Sequence, residues 1–161
     1  MNTKNICIFG LFGAMMYASK VIMSILPNIH LITFFIMLFT VIYGKDAIYI
    51  VYCYVFIDGL FSGFALWWIP YLYIWAIIWF ISYKTLSRNS FPMIFAAMGF
   101  LFGITFGTMY APGQAILYRL NWNQIIAWII AGIPFDIIHA ISNLIICSFV
   151  PTALKIIDKT Q

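Results

Sequence analysis

Asp136, His139 and Asn143 stand three and four residues apart inside an otherwise apolar stretch, Gly132 to Asn143. On a helix that spacing stacks the three side chains on one face, while Ile137, Ile138, Ile141 and Leu144 largely cover the others. A carboxylate, an imidazole and an amide on one stripe can hold a polar solute by hydrogen bonds, or can clamp neighbouring helices together. A helix over roughly 124–149 is long enough to cross the ~30 Å hydrocarbon layer at about 1.5 Å per residue, which puts Asp136 near mid-membrane. There a carboxylate costs roughly 2.5–3.5 kcal/mol by insertion scales, so it must face a partner, a ligand or a water-filled cavity.

The remaining groups able to recognise a solute lie near connections expected on the outer side: Asn28 and His30 beside Pro27, Asp58 near the end of a span, and the aromatic run around Trp67, Trp68 and Tyr71. Tyr110, Gln114 and Trp122 belong to a later connection on the same side. Trp and Tyr gather at both membrane interfaces for solvation alone, so these rings read either as an aromatic belt or as a stacking surface for a flat, partly polar ligand. Together with Asp136 and His139 they form the expected substrate site. Nucleophilic catalysis is a poor fit. A rhomboid-like serine protease would pair Ser62 with His139, but Leu60 stands where its Gly-x-Ser-Gly motif needs glycine, and the two residues are expected at different depths. Metal chemistry on His30 and His139 is disfavoured by an expected separation of about half a membrane.

With 65% hydrophobic, 20% aromatic and only 7% charged residues among 161, the chain is not a soluble domain, whose charged fraction is about 25%. The acidic residues are all Asp (46, 58, 136 and 158), which excludes mechanisms that need a glutamate. A net charge of +4 with no basic run suits topology signalling and anionic lipid, not nucleic acid. Cys7, Cys53 and Cys147 are isolated and read as small buried hydrophobes. The first apolar run lacks a small-residue cleavage site and is expected to stay as a helix.

Apolar runs broken by Pro, Gly and charge predict an all-α membrane protein, one domain over 1–161, with six spans near 5–26, 31–44, 46–64, 69–84, 92–110 and 124–150. The second is short, and is expected to be tilted, packed under a loop or set at a thinner bilayer edge. Both termini in the cytoplasm would put Lys4, Lys45, Lys84, Arg88, Lys155 and Lys159 inside and Arg119 outside, as the positive-inside rule favours. Lys20 is expected to snorkel to the outer interface, or else to pair with an Asp. Residues 108–124 read as the longest loop, with a short interfacial helix over 115–120. Gly10, Ala14 and Ala18 form one four-residue stripe and Gly99, Gly103 and Gly107 another, and such stripes let helices approach closely.

Assembled in this order, the chain resembles the S components of energy-coupling factor (ECF) transporters, the membrane subunits that bind substrate. The resemblance spans the whole length and rests on six spans in a short chain, Ala14-Met15-Met16-Tyr17-Ala18 on the first helix, Pro27-Asn28 before an apolar helix, and Gly132–Asn143 leading to a basic tail. It implies a non-catalytic subunit of an ABC-type complex, without cofactor, that captures a vitamin or related micronutrient from outside the cell. The partners it implies are a transmembrane coupling subunit, docking on Gly10, Ala14 and Ala18, and two ATPases. The absence of a Gly-x-x-x-x-Gly-Lys-Ser/Thr loop agrees with ATP hydrolysis by partners. The aromatic, amide and carboxylate inventory suits cobalamin, a pyrimidine or a pyridine better than a strong anion. A small structural or channel-like subunit is the alternative.

Overall fold

Glycine and proline divide the chain into helices whose lengths follow from what flanks them. The computed structural model describes residues 2–159. Their helices are α1 (Thr3–Ile22), α2 (Ile32–Tyr43), α3 (Ala47–Ser62), α4 (Tyr71–Thr85), α5 (Pro92–Tyr118), α6 (Trp122–Cys147) and α7 (Val150–Lys159). No strand occurs among the described residues. Five stretches are long and apolar enough to cross a membrane: Thr3–Ile25, Ile32–Ser62, Leu66–Thr85, Pro92–Tyr118 and Trp122–Lys159. Large apolar side chains such as Leu11, Ile22, Phe61, Met93 and Ile130 are exposed on the outside of the bundle, which is the arrangement lipid solvation requires.

Ring pairings give the helix directions. Phe12 stacks on Phe39 at 4.6 Å and Phe9 meets Tyr43 edge-on at 5.2 Å, so α1 and α2 run antiparallel. Phe9 also faces Tyr49 at 6.4 Å, and Lys20 reaches Asp58, so α1 and α3 run parallel. The stretch Ile32–Ser62 is therefore folded back on itself, and Gly44, at φ +59°, occupies the reversal in a region that favours glycine. Gly13 lies in the α1–α3 contact, where an added Cβ would sit 2.8 Å from Cys53 Cβ.

The twelve residues of α2 extend only about 18 Å at 1.5 Å each, and the chain before them explains why. Residues 26–31 are irregular and enter the bundle instead of capping it: the Asn28 carbonyl accepts the Ser142 hydroxyl at 3.4 Å, and the His30 ring lies 4.6 Å from that of His139. Irregular backbone is tolerated among membrane helices where protein or a cavity surrounds it. Asn28, at φ 61°, adopts the left-handed conformation that Asn accepts more readily than most residues. Asn28 and His30 are thus inside the bundle, not at its rim as an outer turn would have them.

Residues 108–124 are not a loop. Helix α5 continues through Pro112 to Tyr118, and α6 starts after only three residues. A proline inside a helix removes one hydrogen bond of the ladder, and here a neighbouring side chain enters the gap. The Tyr73 hydroxyl donates to the Met109 carbonyl at 2.8 Å and accepts the Gly113 amide at 3.2 Å. Helix α6 begins in a capping box, with Asn121 accepting from the Gln124 amide at 3.0 Å and Gln124 accepting from the Asn121 amide at 2.9 Å.

The glycine stripe of α5 is its contact with α6. A Cβ at Gly99 would lie 2.8 Å from the Asn143 carbonyl, one at Gly103 2.5 Å from Ala140 Cα, and one at Gly107 2.5 Å from Asp136 Oδ2. The two antiparallel helices therefore touch backbone to backbone. The stripe on α1 is free by contrast: Ala14 and Ala18 are exposed and nothing lies within 4 Å of a Cβ at Gly10. At the other end of α6 the chain breaks at Ser148 and continues as α7, which buries Val150, Pro151 and Leu154 while Asp158 pairs with Arg88.

Candidate functional site

The close approach of α5 and α6 ends where Gly107 meets Asp136, and a cavity opens there. It has a volume of about 420 Å³. Helix α6 contributes Trp128, Ala131, Gly132, Phe135 and Asp136, positions three and four apart that share one helix face. Helix α5 contributes Phe106, Gly107 and Tyr110, α4 contributes Tyr71, and the segment before α2 contributes Asn28.

Asp136 is 7% exposed, and its two carboxylate oxygens accept the single Gly107 amide at 3.0 and 3.2 Å. One amide proton shared between two oxygens leaves lone pairs free on both. The aromatic walls brace one another, with Tyr71 6.4 Å from Phe106 and 6.1 Å from Tyr110. The Tyr110 hydroxyl donates to the Trp67 carbonyl at 2.5 Å, which ties α5 to the connection before α4.

Phe106 separates the cavity from a second polar group. Its ring is 5.0 Å from that of His139, which meets His30, and His30 is 6.0 Å from Trp75. One turn further along α6, Asn143 donates to the Thr33 hydroxyl at 3.3 Å. His30 Nδ1, His139 Nε2, Trp75 Nε1 and Asn143 Oδ1 are buried without a protein hydrogen-bond partner among the described residues. An unsatisfied buried polar atom costs about 1–3 kcal/mol, so four in one neighbourhood are a feature in need of a reason.

Of the residues expected from sequence, Asn28, Tyr71, Tyr110 and Asp136 line the cavity. His30 and His139 lie behind Phe106, and the expected separation of the two histidines is corrected to adjacency. Asp58 is fully buried in an ion pair, with Lys20 Nζ 2.7 Å from both of its oxygens and the Ser62 hydroxyl donating to it at 3.1 Å. Lys20 therefore pairs instead of snorkelling, and its ammonium lies 5.6 Å from the ring centres of Trp67 and Tyr71. Trp67 packs edge-on against Tyr71 at 5.5 Å, and Trp68 donates to the Val55 carbonyl at 2.8 Å. Gln114 is buried on α5 outside the lining, and Trp122 is 78% exposed. Ser62 engages Asp58 while His139 engages His30 and Phe106, so the two do not form a nucleophile–base pair. No group of three or more His, Cys, Asp or Glu converges as metal ligands among the described residues.

Sequence reasoning missed Phe106, Gly107, Trp128, Ala131, Gly132 and Phe135 as lining residues. The usable signal was register: extending the Asp136 face back along α6 in steps of four residues reaches Gly132 and Trp128, and the glycine stripe of α5 reaches Gly107. No family model, curated protein or solved structure matches this chain.

Proposed function

We propose that this chain is a membrane-embedded solute-binding subunit of the S-component kind, which captures a water-soluble vitamin or related micronutrient outside the cell and delivers it with a coupling subunit and two ATPases. The observation that carries this reading is the cavity: a buried carboxylate ringed by aromatic side chains, beside an irregular segment that replaces the missing length of α2. Pockets of roughly 300–1,000 Å³ with apolar walls and few polar groups are the usual form of small-molecule sites. At about 420 Å³ the cavity suits one ring or two fused rings, so a pyrimidine or pyridine compound fits better than a corrinoid such as cobalamin.

On this reading α1 to α6 all cross the plasma membrane. The cavity lies toward the outer ends of α4, α5 and α6, and the basic residues Lys4, Lys45, Lys84, Arg88, Lys155 and Lys159 share the cytoplasmic end with both termini. The exposed stripe of Gly10, Ala14 and Ala18 is the surface for the coupling subunit, because small side chains admit a second helix closely. The test is purification of the tagged full chain from its native membrane in mild detergent. A coupling protein and ATPases are expected with the wild type and not with Ala14→Trp, whose bulk blocks the stripe. Recovery of the chain alone from the wild-type membrane, or an unchanged complex with Ala14→Trp, contradicts the assignment.

A further inference from the structure

The lining of the cavity holds one ionisable carboxylate, Asp136, and no lysine, arginine or histidine. Five aromatic rings surround it: Tyr71, Phe106, Tyr110, Trp128 and Phe135. Such rings carry negative electrostatic potential on their faces and attract cations, most strongly where water is excluded. Nothing nearby cancels the charge of the carboxylate. Among the described residues its only hydrogen-bond donor is the neutral Gly107 amide, and Lys20, the cation close to Tyr71, is held by Asp58 at 2.7 Å.

The hydrogen-bonding character points the same way. The Tyr110 hydroxyl proton is committed to the Trp67 carbonyl, so it is not available as a donor to an anion in the cavity. Asn28 supplies the one side-chain amide of the lining. An anionic solute would meet the Asp136 carboxylate with no counter-charge, and a neutral one would leave that carboxylate uncompensated among apolar walls.

We propose that the solute this cavity takes is a flat, monovalent organic cation of one or two rings, such as a quaternised or protonated nitrogen heterocycle or a ring bearing an amine, with Asp136 as its counter-ion and the five rings as its cage. This rests on the reading of the cavity as the solute site. It fixes the charge and shape of the solute, which the transporter assignment leaves open.

The test is equilibrium dialysis of the purified full chain against three ring systems of matched size: N-methylquinolinium as the cation, N-methyl-2-quinolone as the neutral compound and quinoline-2-carboxylate as the anion. The cation is expected to bind saturably at one site, at least tenfold tighter than either of the others. Asp136→Asn is expected to weaken it tenfold or more. Trp128→Leu, which removes a partly exposed ring and no hydrogen bond, is expected to weaken it several-fold and keeps the test decisive where Asp136→Asn does not fold. The inference is overturned by equal or tighter binding of the quinolone or the carboxylate, by unchanged affinity in both variants, or by no saturable binding of the cation. Because Ala14→Trp leaves the cavity untouched, it is expected to bind the cation like the wild type. Loss of the ATPase complex would therefore be told apart from loss of the solute site.

Discussion

The backbone amide of Gly107 donates to both carboxylate oxygens of Asp136, at 3.0 and 3.2 Å, at the end of the glycine-lined contact between α5 and α6. The relationship depends on glycine, since a methyl group at position 107 would occupy the space of Oδ2. Sequence, packing and chemistry meet here: a four-residue glycine repeat lets α5 press against α6, and the pressed helices hold a buried carboxylate at the wall of a cavity.

The two glycine-containing stripes are expected to respond oppositely to alanine. At Gly103 a Cβ would lie 2.5 Å from backbone atoms of Ala140, which cannot rotate away, so Gly103→Ala must separate α5 from α6 and lower stability by at least ~2 kcal/mol. At Gly10 nothing lies within 4 Å, so Gly10→Ala is expected to be neutral or stabilising by up to about 1 kcal/mol through helix propensity. Thermal unfolding in one detergent compares them. Equal effects would mean that the α5–α6 contact is looser than described.

The Lys20–Asp58 pair predicts an asymmetry. Asp58 is fully buried while the Lys20 side chain is 31% exposed. Lys20→Met strands a charge with only the Ser62 hydroxyl to compensate it, and roughly 3–5 kcal/mol is the usual cost of breaking such a pair. Asp58→Asn leaves the ammonium free to turn toward the interface and is expected to cost less. Lys20→Met combined with Asp58→Leu should recover most of the stability lost in Lys20→Met. A double variant no more stable than Lys20→Met alone would show that the pair is not the source of the cost.

What the sequence made legible was local. The face shared by Asp136, His139 and Asn143 and the glycine repeat of α5 both follow from spacing along one helix. What it hid depends on contacts between distant positions. Pro112 reads as a break, and only the Tyr73 hydroxyl, from another helix, lets α5 pass through it. Lys20 reads as a side chain free to snorkel until Asp58, 38 residues away, is folded against it. Residues 26–31 carry turn signals in any setting, and their entry into the bundle is fixed by Ser142 and His139, more than a hundred residues on. Hydropathy recorded that α2 was short; the reason lay in three-dimensional contacts.

Native mass spectrometry of the full chain released from mild detergent shows whether the cavity beside Asp136 holds a small solute. The wild type is expected to carry a one-to-one adduct of a small organic compound, and Asp136→Asn, purified in the same way and still folded, is expected to carry at least tenfold less of it. A wild-type spectrum with no adduct after purification in the presence of a cell extract, or an adduct equally abundant in Asp136→Asn, would mean that the cavity beside Asp136 is not a solute site.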